Sequence, residues 1–241
     1  MIDLSKPWPF GLTRRSALPF AFAFVVLVAA LYWIDRPLSA WAQALPDAVR
    51  AVFHWITRWG QSDWILIPSA TALLIAWLAS LVTRERRQQA AREVAALAGF
   101  IFVGVAAPSL VASLLKRIIG RGRPETWSVE TPLTFRLNWD AYDFQSFPSG
   151  HSTTAFSAAM AVALRWPRLL WPALLAAALI ALSRIVEGAH YATDITGGAV
   201  LGTLGAYAVR NFFAARGWAF EIGADGGIRR KPLTALFGLR R

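Results

Sequence analysis

Apolar positions in this chain gather into long unbroken runs instead of alternating with polar ones. The runs lie at 17–35, 64–82, 94–115, 152–164, 169–186 and 195–213. A helix that crosses the hydrocarbon core of a bilayer needs about 20 mostly apolar residues, so the pattern predicts six transmembrane helices. The run at 152–164 is short. It reaches spanning length only if its first turn takes in Ser149, Gly150 and His151, which makes the polar stretch "SFPSGHSTTAF" part of a helix end. Pro108 and Pro172 fall inside runs, where neighbouring helices can re-satisfy the freed backbone groups. Between the first two runs, "RAVFHWITRWG" places Val52, Trp55, Ile56 and Trp59 at helical spacing, predicting a short helix in the membrane interface. His54 within it reads as structural or solvated. "TRERRQQAARE" reads as a charged, solvated connection, and the residues from about 217 onward as an irregular basic tail resting on anionic lipid. The fold class expected is all-α and polytopic. A cytoplasmic N-terminus (1–16) leads into a six-helix membrane domain (17–216), and a basic cytoplasmic tail (217–241) follows.

Composition agrees with a membrane setting: 56% of the 241 residues are hydrophobic, with 12 Trp and 15 Phe. The absence of cysteine excludes a disulfide framework and thiolate metal sites. The net charge of +11 comes with neither a basic helix nor a nucleic-acid-binding motif, so no nucleic acid partner is expected. Topology accounts for it better. Lys6, Arg14, Arg15, Arg84, Arg86, Arg87, Arg92, Arg165, Arg168, Arg210, Arg216 and the basic residues of the tail all fall on one set of connections. By the positive-inside rule both termini are then cytoplasmic and "SFPSGHSTTAF" faces outward. Abundant Ala, with Arg in excess over Lys, hints at a high-GC bacterial genome, hence a bacterial inner membrane with the polar cluster on its periplasmic side. "TRRSALPFAFAFVV" weakly resembles a twin-arginine export signal. Its apolar run is too long and lacks a small-x-small cleavage site, so it reads as an uncleaved first span.

Three outward-facing clusters hold the unusual residues. "KRIIGRGRP" places Lys116 and Arg123 seven apart, with Gly120 and Gly122 loosening the backbone between them. Two converging cations suit a dianion such as phosphate, although basic residues at a helix end also simply snorkel. In "PSGH", Pro148 sets the entry, Ser149 is a natural N-cap, Gly150 admits close approach to the backbone, and His151 sits in the first turn. Free N–H groups at a helix start form an anion site, and a histidine there can pass a proton to a leaving group. A capped helix with a bystander histidine reads equally well. "SRIVEGAHYATD" supplies Arg184, His190 and Asp194. If the helix has begun there, the last two share a face and the carboxylate orients the ring, as for an activated nucleophile; a His–Asp bond tying down a helix start is the alternative. All three clusters fall on one predicted face of the membrane, which favours a shared site.

Together these residues resemble the three-part signature of the type 2 phosphatidic acid phosphatase superfamily, K-x6-R-P, P-S-G-H and S-R-x5-H-x3-D. Here it reads Lys116…Arg123-Pro124, Pro148-Ser149-Gly150-His151 and Ser183-Arg184…His190…Asp194, every position matched. The resemblance implies that His190 attacks phosphorus to form a phosphohistidine, with Asp194 fixing its tautomer. His151 protonates the leaving oxygen and then activates water. Lys116, Arg123, Arg184, the Ser149 hydroxyl and the Gly150 N–H hold the phosphoryl oxygens. No metal or other cofactor is expected, and the external loops offer no carboxylate cluster suited to magnesium. Glu187 stands where much of the family is expected to be apolar; it pairs with Arg184 or reads a headgroup. The link at 125–147, with Trp127, Phe135, Trp139, Tyr142, Phe144 and Phe147, anchors the bilayer edge or walls a channel for a lipid tail, while Asp140 and Asp143 order the loop or repel a wrongly charged headgroup.

The function expected is hydrolysis of a terminal phosphate from an amphiphile, with membrane lipids and the lipid phosphate as partners. A polyprenyl diphosphate or a glycerolipid phosphate is favoured as substrate, and lipid A phosphate is the alternative. A phosphotransferase using the same phosphohistidine is a second enzyme class. A lipid-binding or transport protein would not need an acid, a nucleophile and an orienting carboxylate together. Oligomeric state is not legible.

Overall fold

The computed structural model describes residues 3–125, 134–137, 139 and 141–236. Among these residues seven α-helices dominate: α1 (Ala17–Gln43), α2 (Asp47–Thr57), α3 (Asp63–Val82), α4 (Glu85–Ile119), α5 (Gly150–Arg165), α6 (Leu170–Val186) and α7 (Ala192–Ala215). A two-stranded antiparallel hairpin, β1 (Phe220–Ile222) and β2 (Ile228–Arg230), follows.

The bundle is apolar on the outside and small or polar within. On α1, Leu18, Phe22, Val25 and Trp33 are exposed, and on α3 so are Leu74, Ile75, Leu81 and Val82. In water such faces would drive association; around a bundle they are what lipid requires. α5 and α7 are different. They bury Ser152, Thr153, Thr154 and Ser157 on one side and Thr193, Asp194, Gly197, Gly198 and Gly202 on the other. A Cβ added to Gly198 would lie 2.5 Å from the Ser149 carbonyl oxygen and 2.9 Å from Ser152 Cβ, so only glycine lets the two backbones meet there. Small residues of this kind are how helices approach closely where no hydrophobic effect drives them together.

That inversion bears on the six expected spans. Among the described residues, four helical stretches are long and apolar enough to cross a membrane: Ala17–Gln43, Asp47–Val82, Glu85–Ile119 and Pro167–Val186. α5, with 16 residues, is short, and α7 carries a small and polar inner face.

The main core lies between α4, α5, α7 and the hairpin, where Phe100, Met160, Leu164, Tyr207, Phe213, Phe220 and Ile228 pack together. The Phe100 ring meets Phe213 at 5.7 Å and Phe220 at 4.7 Å, edge to face. Residues 220–230 therefore form an ordered hairpin packed on the bundle, where an irregular tail was expected. Likewise, most of "TRERRQQAARE" is the first turns of α4, which at 35 residues extends well beyond the run at 94–115. Glu93 there accepts hydrogen bonds from the backbone N–H groups of Ala235 and Leu236. α2 forms as expected, with Val52 and Trp55 exposed on it and Trp59 exposed in the turn that follows.

Candidate active site

Three chain segments deliver the site to one end of α5. α4 stops at Gly120, whose φ of +62° lies in the left-handed region that glycine reaches without strain. The chain then runs extended, and residues 120–122 pair with 134–136: Arg136 N–H donates to the Gly120 carbonyl at 2.7 Å and Gly122 N–H to Thr134 at 2.8 Å. This pairing presents Arg121 and Arg123 to the loop before α7. Arg123 is buried, donates to the carbonyls of Tyr142, Gln145 and Ala189 at 3.1–3.3 Å, and lies 3.7 Å from the centre of the Tyr142 ring. Burial lowers its pKa from the usual arginine value.

Ser149 caps α5 as expected, its hydroxyl accepting from Ser152 N–H at 3.4 Å. Its own N–H donates to the Asp194 carbonyl at 3.0 Å, which latches the start of α5 to the start of α7. Lys116, one turn before the end of α4, reaches this latch: a Cβ on Gly150 would stand 3.5 Å from its ammonium nitrogen. Lys116, Arg123 and Arg184 all interact electrostatically with His151. The His151 ring packs against Gly60, at the end of the short turn after α2.

His190 and Asp194 meet, but not on a formed helix. α7 begins at Ala192, so His190 precedes the cap residue Tyr191 and Asp194 occupies the first turn. His190 is 1% exposed, with Nδ1 lying 3.6 Å from Asp194 Oδ2 and 3.5 Å from the Ser146 hydroxyl. Burial holds its pKa well below the ordinary histidine value, against the opposing pull of Asp194, so the ring is neutral at neutral pH. Asp194 is fully buried and accepts from Tyr191 N–H at 2.8 Å and the Ser146 hydroxyl at 2.5 Å.

Behind this pair lies a network that sequence spacing did not reveal. Arg121 donates to Asp194 Oδ1 at 2.6 Å and to Asp35 Oδ2, on α1, at 2.8 Å. Asp35 also accepts from the Thr193 N–H at 2.9 Å and the Thr193 hydroxyl at 2.6 Å. A single carboxylate inside the apolar run of α1 was the available signal, since ionisable residues at membrane depth are costly unless partnered.

Arg184 is gripped from two sides. Its guanidinium donates to the Thr57 hydroxyl of α2 at 2.7 Å and pairs with Glu187, whose other oxygen lies 2.9 Å from Nδ1 of His54. The Arg184–Glu187 pairing is thus present, and His54 joins it from an exposed position on α2. Nε of Arg184 is buried and has no hydrogen-bond partner among the described residues, a donor that an oxyanion would satisfy. An open cavity of ≈ 670 Å³ adjoins it, lined in part by Asp47, Arg50, His54, Glu125, Tyr142 and Glu187.

Of the aromatic link, Phe144 is buried, Phe135, Trp139 and Tyr142 are exposed, and Trp127 and Asp140 lie outside the described residues. Phe135 and Phe147 line a largely apolar groove of ≈ 460 Å³ with Val25, Val28, Ala29 and Tyr32 of α1.

All eight candidate residues (Lys116, Arg123, Ser149, Gly150, His151, Arg184, His190 and Asp194) therefore belong to the adjoining ends of α4, α5, α6 and α7 and the loops between them. Converging cations, one of them with a buried donor left unsatisfied among the described residues, suit a dianionic ester, and the apolar exterior sets them in a bilayer; the class this defines is a membrane phosphatase. The PAP2 superfamily model matches residues 97–218, and the chain belongs to that superfamily. It is 30% identical to a lipid A 1-phosphatase of Rhizobium johnstonii over 91% of this chain and 89% of that one. It is 33% identical to a decaprenylphosphoryl-5-phosphoribose phosphatase of Mycobacterium tuberculosis over 56% of this chain and 67% of that one. The crystal structure of a transmembrane PAP2 type phosphatidylglycerolphosphate phosphatase from Bacillus subtilis shares the fold, with a TM-score of 0.57 and 22% identity, covering 81% of this chain and 94% of that one.

Proposed function

We propose that the chain hydrolyses the phosphate monoester of a lipid A-type glycolipid through a phosphohistidine at His190. The observation that carries the mechanism is the orientation of the buried His190 ring. Nδ1 faces Asp194 and Ser146, which leaves Nε2 to attack. In the first half-reaction the Nε2 lone pair forms the N–P bond as the P–O bond to the lipid breaks. His151, protonated while the dianion is bound, gives its proton to the departing oxygen. In the second, His151 takes a proton from water, the resulting hydroxide attacks phosphorus, and the N–P bond breaks to release phosphate and neutral His190. Lys116, Arg123, the free Nε of Arg184, the Ser149 hydroxyl and the first-turn N–H groups at Gly150 hold the equatorial oxygens as charge redistributes. These positive groups fill the role a divalent ion plays in other phosphoryl-transfer sites, and the reaction is expected to survive chelation.

The glycolipid assignment is supported by the end-to-end similarity to the Rhizobium lipid A 1-phosphatase, which covers far more of the chain than the decaprenyl relative. The cavity beside Arg184 adds support, because Asp47, Glu125 and Glu187 offer carboxylates to sugar hydroxyls. The apolar groove between α1, Phe135 and Phe147 suits an acyl chain. On this reading α5 and α7 also span, giving six spans with both termini cytoplasmic and the site on the periplasmic face of a bacterial inner membrane.

The test is phosphate release by purified protein in EDTA across lipid A, phosphatidic acid, phosphatidylglycerol phosphate and undecaprenyl diphosphate. Lipid A is expected to give the highest kcat/KM. A higher value for undecaprenyl diphosphate would overturn the glycolipid assignment while leaving the chemistry intact, and loss of all turnover in EDTA would overturn the metal-free mechanism.

A further inference from the structure

A second open cavity, of ≈ 750 Å³, lies at the other end of α5 from His151. Fourteen residues at about 1.5 Å each put it about 21 Å along the helix from that ring. Arg165, Arg210, Arg229, Arg230 and Lys231 all line it, against the single carboxylate of Asp3. Among the described residues Asp3 forms no ion pair with them, and its Oδ1 accepts from the N–H of Ser5 at 2.9 Å and from the Ser5 hydroxyl at 2.6 Å. Among the described residues, Arg229 with Asp225 is the one ion pair these cations make.

The cations differ in how far they are committed. Arg210 is spent on structure, donating to the carbonyls of Leu4, Lys6 and Pro7 at 2.5–3.0 Å, which pins the N-terminal segment as one wall. Arg230 donates to the Arg165 carbonyl at 3.3 Å, which brings the β2 strand and the end of α5 together and sets two guanidinium groups in mutual repulsion. Arg165 is only 9% exposed, yet among the described residues its buried Nε has no hydrogen-bond partner. A buried guanidinium with an unused donor, beside a second one and, among the described residues, in no ion pair of its own, is costly unless an anion completes it. Phe220 and Ile228, from the hairpin core, also form part of the wall, so the cavity joins cations to apolar surface.

We propose that this cavity is a second, non-catalytic phosphate site that takes a phosphate mono- or diester group, with Arg165 and Arg230 as its principal donors. The guanidinium fork matches paired phosphate oxygens, and the apolar wall suits the glycerol and first methylenes of a phospholipid. Free phosphate offers the same oxygens without that apolar portion.

The experiment uses full-length protein carrying His190→Ala, so that nothing is hydrolysed, and the same protein with Arg165→Gln and Arg230→Gln added. Dioleoyl phosphatidylglycerol in neutral-detergent micelles and inorganic phosphate are titrated separately, with binding read by native mass spectrometry. Bound phosphatidylglycerol on the parent and a loss of at least tenfold in its affinity on the doubly substituted protein are expected. Inorganic phosphate that displaces the lipid identifies the bare phosphate as sufficient; lipid that binds while phosphate does not identifies the headgroup with its apolar portion. Equal affinity of parent and variant for both probes would overturn the proposal. Arg165→Lys with Arg230→Lys separates charge from folding: it is expected to keep the parent's thermal midpoint and, with the charge but not the fork, to bind phosphatidylglycerol more weakly than the parent and more tightly than the Gln variant, and binding no tighter than that of the Gln variant would also overturn the proposal.

Discussion

Removing Arg121 should strand two carboxylates at once. Its guanidinium, 5% exposed, stands 2.6 Å from Asp194 and 2.8 Å from Asp35, whose side chains are both 0% exposed. One positive charge thus balances two negative ones, with the hydroxyls of Ser146 and Thr193 and two backbone N–H groups supplying the remaining donors. Breaking a buried pair by deleting one partner costs about 3–5 kcal/mol, or about two to nearly four decades in the folding equilibrium. Arg121→Met should lower stability by that order and reduce turnover as well, because Asp194 loses the anchor that aims it at His190. Asp35→Asn alone should destabilise, since its amide would point a donor at Arg121. Added to Arg121→Met, the same change removes one of the stranded charges and should restore stability. A reversal of sign of this kind amounts to a coupling of about 0.5–3 kcal/mol. Thermal unfolding and phosphate release by the four proteins in one detergent measure it. Strictly additive effects would refute the shared role of Arg121.

Two further outcomes follow from the same geometry. Glu187→Gln loosens Arg184, which retains Thr57. The pair is partly solvated, so a loss of about 1 kcal/mol, or about fivefold in kcat/KM, is expected; a hundredfold loss would mean that Glu187 itself touches substrate. The neutral His190 ring also couples stability to pH. The unfolded ring binds a proton below about pH 6.5 and the folded one does not, so its contribution is complete above that pH and shrinks as the pH falls. The gap in thermal midpoint between wild type and His190→Asn should therefore narrow between about pH 8 and about pH 5.5. A constant gap would contradict a neutral ring.

Much of this was legible because the signals are local. Lys116 and Arg123, Ser149 with His151, and His190 with Asp194 are each close in sequence, and the helix ends that carry them follow from Gly120 and the Ser149 cap. The helices divide by environment. α1 and α3 show apolar faces to lipid and declare themselves by hydropathy, whereas α5 and α7 face each other across Gly198 and Gly202 and so carry small and polar residues instead. The Asp35–Arg121 pair is not legible in the sequence because 86 residues separate its members, and nothing local in either segment points to the other. The hairpin was legible in principle: Asp225-Gly226 stands between Phe220, Ile222 and Ile228, a turn dipeptide between apolar positions. The surrounding arginines drew the reading toward a solvated tail, but Phe220 and Ile228 in the core decide otherwise.

The central claim is that phosphorus passes through His190. Brief reaction of purified protein with lipid carrying a radiolabelled terminal phosphate, followed by alkaline quench and peptide mapping, tests it directly. Phosphoramidates survive base and hydrolyse in acid, so the account predicts an acid-labile, base-stable label on the peptide containing His190. The label should be absent in His190→Ala and should accumulate in His151→Ala if water attack slows more than attack on the lipid. Full turnover by His190→Ala, or a label mapping to any other residue, would contradict the account.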